Sequence, residues 1–383
     1  MRRPLEVLAV VGTRPEAVKV APVVWRLRGD PGFRVRLLST GQHREILVDT
    51  LAAFGLRPDR DLRVMRPRQP LNALLTAVIA GVDEDLALRA PDLLLVQGDT
   101  TSALGAALAA FHRGIPVAHL EAGLRSGNLR SPEPEEMNRI VVDRLSRVFL
   151  APTPLARRRL LSEGIAPSEI YVTGNTVVDA LQTVLAQPAG SAPRALAGLP
   201  AGRPLAVVTL HRRESHGQVL RGLISALRRA SARRPEVLWV LPAHPNPATR
   251  APLSGLPRGR FVVTPPLPYP NFLRLLARCA FAATDSGGIQ EEAPSLGVPF
   301  LVLRNVTERP EALGRWGRLA GVEPRAVEEA LVRLAARPPR PRGSNPFGDG
   351  RAAERAVAAL KHWAGRGPRP RAFRGGRSGV ASL

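Results

Sequence analysis

Cysteine occurs once in this chain of 383 residues, tyrosine twice and lysine twice, although Lys and Arg together number 55. The lone Cys279, inside the apolar stretch LLARCAFAAT, excludes an intrachain disulfide and any multi-cysteine metal site, and no other metal motif is present. No apolar run is long enough to span a bilayer, and the start carries no n-region, h-region and cleavage pattern, so the expectation is a cytoplasmic protein without a membrane partner. Acidic side chains are also scarce, 32 in all, which leaves a formal charge of +23. Such charge invites nucleic acid. Aromatics, however, make up only 4%, too few for a base-stacking surface, and the arginines are scattered through helical stretches such as RGLISALRRASARR. With 38 prolines and 34 glycines the charge reads as a bias toward Arg, Ala, Gly and Pro. No nucleic-acid partner is expected, and the same field suits a small anionic substrate. A basic nucleic-acid-binding protein is the alternative class; its mark would be tight, salt-steep binding without turnover. The scarcity of lysine makes Lys19, within GTRPEAVKVAP, conspicuous.

What is present is a repeated alternation of short apolar runs and helical stretches. LEVLAVVG, RVRLLST, DLLLVQGD, PVAHLEAG and RVFLAPT read as five buried strands, each followed by a helix. The pattern pauses in an Ala/Pro/Gly-rich linker and restarts with PLAVVTLH, EVLWVLPAH, FVVTPPL, AFAATDSGG and PFLVLRN. Continuous apolar strands alternating with helices imply parallel sheets covered on both faces. The expected fold is α/β: two Rossmann-like doubly wound domains with a cleft between them. The expected boundaries are 1–176 for the first domain and 177–349 for the second. A helix at 350–365 would return to the first domain, and 366–383 would be a disordered Arg/Gly-rich tail.

In open parallel sheets ligands bind just past the carboxyl ends of the strands, and the informative polar residues fall there. They are Thr13, Arg14, Glu16 and Lys19; Gly98, Asp99 and Thr100; His119, Glu121 and Arg125; and Glu133, Glu135, Glu136 and Arg139 in SPEPEEMNR. The second half adds His211 to Glu214, His244, Asp285 to Glu292 in DSGGIQEE, and Thr307 to Glu311 in TERPE. Any one of them has a bland explanation as a cap or a loop charge. A row of them at successive strand ends does not. DSGGIQEE is the sharpest piece: two glycines at a helix start let a backbone approach an anion, and Glu291 and Glu292 are acceptors suited to a vicinal diol.

Together GTRPEAVKVAP, QHRE, GDTTSALGAALAAF, HLEAGLRSG, PEEMNR, TGNTVVDAL, HRRES, DSGGIQEEAPSLGVP and TERPEA resemble the non-hydrolysing UDP-N-acetylglucosamine 2-epimerases, in that family's order and over nearly the whole chain. The resemblance implies the two-Rossmann architecture of the GT-B type, a homodimer, and interconversion of UDP-GlcNAc and UDP-ManNAc. C2 bears no adjacent carbonyl to acidify its hydrogen. The implied route therefore runs through loss of UDP from C1, loss of C2–H to give bound 2-acetamidoglucal, and re-addition. No cofactor is implied, and the first βα turn holds no GxGxxG. Asp99, Glu121 and Glu135 match the family's catalytic carboxylates, with Asp99 and Glu121 as the proton-transfer pair; Lys19 and His211 complete the catalytic set. Arg14, Lys19, Ser286, Gly287, Gly288, Glu292 and Arg309 match substrate-binding positions. A possible activator site for a second UDP-GlcNAc maps to Gln42, Arg68, Glu136, Arg212 and His244. The chain departs from relatives at Glu45, where some carry a second Gln, and at Leu210, often Gly. The alternatives are a GT-B UDP-sugar glycosyltransferase and a hydrolysing epimerase that releases ManNAc and UDP.

Overall fold

The computed structural model describes residues 3–42, 44–188, 194–200, 202–212, 215, 217–243 and 247–375. It divides into two compact units, one of residues 1–184 with 347–375 and one centred on 185–346. The first is a seven-stranded parallel sheet in the order β3-β2-β1-β4-β5-β6-β7. Its strands are β1 (Leu5–Val11), β2 (Phe33–Ser39), β3 (Arg60–Asp61), β4 (Leu93–Gln97), β5 (Val117–Leu120), β6 (Val148–Ala151) and β7 (Ile170–Val172). In the second, β8 (Leu205–Thr209), β9 (Leu238–Pro242), β10 (Phe261–Thr264), β11 (Phe281–Thr284), β12 (Phe300–Val302) and β13 (Gly317–Leu319) form a parallel sheet ordered β10-β9-β8-β11-β12-β13. Each unit is thus a Rossmann-like doubly wound layer, and the two-Rossmann expectation holds.

Side chains alternate across a strand, so β1 shows directly why its run is unbroken. Val7, Ala9 and Val11 pack on one face with the helices Arg14–Arg28 and Ala352–Trp363, while Leu8 and Val10 join the opposite core. The edge strands β3, β7 and β13 escape the sequence reading because two or three residues at a sheet margin need no apolar run.

Both sheets reverse strand order at one point: between β1 and β4 in the first, and between β8 and β11 in the second. Loops leaving such neighbouring strands diverge to opposite sides and open a crevice at the strand ends. In the first unit the diverging loops are Gly12–Thr13 and Gly98–Thr100; in the second, Leu210–Arg212 and Asp285–Ser286.

The boundaries differ from those expected. The chain leaves the first unit after Val184, because the helix Thr176–Ala186 buries Val177, Val178, Leu181 and Val184 there. It returns at Phe347, and Asp179 accepts the N–H groups of Ala352 and Ala353 (3.1 and 2.9 Å) to cap the helix Ala352–Trp363. The tail expectation needs correction over 366–375. Arg366 donates to the carbonyl of Arg3 (2.9 Å). Arg369 donates to the carbonyls of Ser168 (2.8 Å) and Ile170 (2.5 Å), its guanidinium 4.5 Å over the Tyr171 ring. Phe373 is buried, and its N–H reaches the Val172 carbonyl at 2.8 Å. Composition suggested disorder, but planar guanidinium donors found the carbonyls that the β7 edge leaves open. Residues 376–383 lie outside the described ones. Phe373→Ala is expected to cost about 3–5 kcal/mol by the usual cavity penalty and to lower the melting temperature of the first unit by on the order of 10 °C in calorimetry. An unchanged melt would show the strap to be superficial.

Candidate active site

At the first switch point the helix Arg14–Arg28 begins directly after β1, with Thr13 at its N-cap position and Glu16 reaching back. The Glu16 carboxylate accepts the N–H groups of Gly12 (3.0 Å) and Thr13 (2.7 Å) and the hydroxyl of Thr100 (2.7 Å), so one side chain ties the β1 loop to the β4 loop. Gly12 is glycine for a steric reason: a Cβ there would overlap the hydroxyls of Ser102 and Thr40. Burial pushes the Glu16 carboxyl up to about 7 against the pull of these donors. The unfolded chain ionises near the ordinary 4.5, whereas the folded one keeps its proton to about 7. The penalty is therefore absent below 4.5 and grows as pH rises, to about 3 kcal/mol by pH 8. Glu16→Gln should remove that slope. Urea unfolding of both proteins at pH 5 and pH 8 checks it, and parallel slopes would refute the assignment.

One turn further along the helix Lys19 is buried and its Nζ lies 2.6 Å from Oε1 of Glu121, itself 6% exposed. Glu121 follows β5 with φ +76, a left-handed backbone that is strained for a residue with a Cβ. Its carboxylate also accepts from the Gln97 amide and from Asn175 Nδ2 (3.2 Å). Three donors on one acceptor group fix it as an oriented carboxylate. Asp99, a quarter exposed, is gripped by the Arg139 guanidinium, and its backbone carbonyl accepts from Asn138 Nδ2 at 2.9 Å. Arg139 is held in turn by Glu136 (2.6 Å), whose other oxygen accepts the N–H groups of Ser126 (2.7 Å) and Gly127 (3.0 Å). Glu135 begins the helix Glu135–Leu145 and is half-buried, as is Arg14 at the first position of its helix.

At the second switch point Asp285 is fully buried. Its Oδ2 accepts the N–H groups of His211 and Arg212 (2.9 Å each), and its Oδ1 lies 3.2 Å from His211 Nδ1. Burial pushes the Asp285 carboxyl up, but the His211 imidazole and the two backbone donors outweigh it and hold the group below its usual range. Thr284 accepts the Ser286 N–H (2.8 Å), and the helix Gly287–Glu292 follows. Gly287 has no room for a side chain, since a Cβ would lie 2.5 Å from the Arg309 guanidinium. Arg309 bridges Glu291 and the wholly buried Glu308, which Arg304 (3.0 Å) and Arg212 (3.4 Å) also reach. Arg212, Arg304 and Arg309 thus converge on Glu308, with Arg309 also on Glu291, which places three guanidiniums in one cluster. Tyr269 donates to Glu292 at 3.1 Å.

The structure thus joins Lys19 to Glu121, Asp99 to Glu136 through Arg139, and His211 and Arg212 through Asp285. Glu291, expected to face a diol, is instead engaged by Arg309. Of the activator set, Gln42 accepts from Ser102 (2.8 Å), Glu136 is internal, Arg68 is exposed at φ +57, and His244 lies outside the described residues. Sequence reasoning passed over Gln97, Asn175 and Arg304, and took in Glu308 only as part of the run Thr307 to Glu311. Asn175 stood in the quoted TGNTVVDAL and Glu308 in TERPE, but spacing alone does not tell a hydrogen-bond partner from a loop residue. Among the described residues no cluster of three metal-ligating side chains occurs. Cys279 is buried, which pushes its thiol up to about 12 and leaves no thiolate for catalysis.

Comparison with known proteins gives a consistent picture. A family model for UDP-N-acetylglucosamine 2-epimerase matches residues 26–361. The chain is 41% identical over 372 residues to the UDP-N-acetylglucosamine 2-epimerase of Escherichia coli K12, covering 94% of this chain and 99% of that one. A crystal structure of the Neisseria meningitidis UDP-GlcNAc 2-epimerase bound to UDP-GlcNAc is 38% identical, covers 94% of this chain and 100% of its own, and superposes with a TM-score of 0.90. The Methanocaldococcus jannaschii enzyme, in complex with UDP-GlcNAc and UDP, is 29% identical at TM-score 0.82, again over 94% and 100% of the two chains.

Proposed function

The chain belongs to the UDP-N-acetylglucosamine 2-epimerase family, and from that premise we propose that it interconverts UDP-GlcNAc and UDP-ManNAc by elimination and re-addition of UDP, without net hydrolysis. The observation that carries the reading is the buried Lys19–Glu121 pair at the first switch point. Inverting C2 requires a base that is already ionised and aimed, because the hydrogen it removes is only weakly acidic. A carboxylate held by an ammonium and two amides meets that need.

The second-unit set serves the leaving group. His211, the Ser286–Gly288 turn and the guanidiniums of Arg212, Arg304 and Arg309 suit a diphosphate whose negative charge grows as the C1–O bond breaks. Glu292 suits the ribose. In the first unit Glu121 takes the C2 proton on one face, Asp99 serves the other, and Glu135 shapes the site. With C2–H lost and UDP departed, the sugar becomes 2-acetamidoglucal; return of the proton to the opposite face and of UDP to C1 completes the inversion. The same reading carries a cytoplasmic homodimer, whose mass light scattering would give.

Incubation with UDP-GlcNAc in deuterium oxide tests it. Deuterium at C2 of recovered UDP-GlcNAc and UDP-ManNAc, with no accumulation of free UDP, is expected. Sugar transfer without deuterium at C2 would point to a glycosyltransferase, and free UDP with ManNAc to a hydrolysing enzyme.

A further inference from the structure

Behind the two carboxylates stands a fully buried imidazole, His119 of β5. Its Nε2 is 2.8 Å from the carbonyl of Gly98 and its Nδ1 is 2.6 Å from Oδ1 of Asp143, on the helix Glu135–Leu145. Gly98 is the residue before Asp99 and takes φ +70. We propose that His119 is a positioning residue for Asp99: its Nε2–H fixes the Gly98 peptide, and with it the backbone from which the Asp99 carboxylate is aimed. This rests on the reading of Asp99 as an acid/base group.

The protonation of the ring follows from its partners. A carbonyl oxygen only accepts, so Nε2 carries a hydrogen. Asp143 accepts the Gly123 N–H (3.1 Å) and Arg125 (2.7 Å) with its other oxygen, and Arg125 makes a two-pronged bond to Glu163 (2.7 and 2.8 Å). Burial raises the Asp143 carboxyl, but the His119 and Arg125 contacts outweigh it and hold the group ionised. Nδ1 faces this anchored carboxylate at 2.6 Å, which fixes the plane of the ring. Asp99 is then located from three directions: Gly98 by His119, its own carbonyl by Asn138, and its carboxylate by Arg139.

Two substitutions separate this from a core histidine that merely fills space. In His119→Gln the amide nitrogen takes the place of Nε2 and can donate to Gly98. In His119→Asn it takes the place of Nδ1 and can donate only toward Asp143. The expected result is a kcat reduced about 30- to 100-fold in the Asn variant and recovered to within about fivefold of wild type in the Gln variant. KM for UDP-GlcNAc should stay within about twofold in both. Equal kcat in the two variants, per folded molecule, overturns the proposal. Nitrogen-15 spectra of the histidine-labelled wild type, with the His119 signal identified by its loss in His119→Gln, should show a hydrogen on Nε2; an Nε2 without one overturns the proposal. These spectra and the Gln variant still decide if His119→Asn does not fold. Absence of wild-type turnover on UDP-GlcNAc would sink the functional reading instead, and the Nε2 hydrogen would report on His119 separately.

Discussion

Glu121→Gln is expected to lower kcat for UDP-GlcNAc epimerisation by about three orders of magnitude or more, with little change in KM. The variant keeps the size and much of the hydrogen bonding of the side chain. It removes the one property the reaction needs, an acceptor-only group able to take a proton, and such groups contribute about 10²–10⁴-fold. It also puts an amide beside Lys19 and the Gln97 amide, where three donors had converged on a carboxylate. An amide rotated to avoid Lys19 turns its NH₂ toward Gln97, so the group is misaimed in either orientation. Exchange of the C2 hydrogen with deuterium oxide should fall in parallel with kcat, since both pass through the same abstraction. Retained exchange with lost epimerisation would place Glu121 on the reprotonating face. Retention of both would show that C2 is deprotonated elsewhere.

How far this site can be read from residues alone differs from part to part. Periodicity delivers ten of the thirteen strands among the described residues, because a strand buried on both faces is written as an apolar run; β3, β7 and β13 are too short and too marginal to write one. The strand-end rule then points to the polar residues, since the loops at a switch point diverge and leave a crevice at the strand ends. What topology does not specify is pairing. That Lys19 meets Glu121, 102 residues away, depends on the side chains of a helix and a strand end reaching the same point. That Glu291 meets Arg309 and not open solvent depends on Gly287 clearing the way. The tail shows the opposite failure, composition misleading where geometry decides. Arg/Pro/Gly-rich sequence is ordinarily disordered, yet Arg366, Arg369 and Phe373 each find a partner along the margin of the first unit.

Lys19 is where scarcity in the sequence and geometry meet. Lys19→Met leaves the buried Glu121 carboxylate without its ammonium, and loss of one partner from a buried ion pair costs about 3–5 kcal/mol. The first unit should melt well below wild type, and kcat should fall together with stability. Lys19→Arg is the more informative change. It keeps the charge, but Nζ is already 2.6 Å from Oε1 and the side chain is 5% exposed, so a longer planar group has nowhere to extend. The helix is not free to back away, because the Lys19 carbonyl accepts the Thr176 hydroxyl at 2.6 Å. The guanidinium must therefore displace Glu121, Gln97 or Asn175, at an overpacking cost of about 1–3 kcal/mol that a folded unit withstands. A folded Lys19→Arg protein with kcat about 100-fold below wild type is the expected outcome, measured by circular dichroism melting alongside turnover. If arginine supports turnover within a factor of about three, the slot is not shaped for an ammonium, and a chain that uses arginine almost everywhere else would have kept this lysine without need.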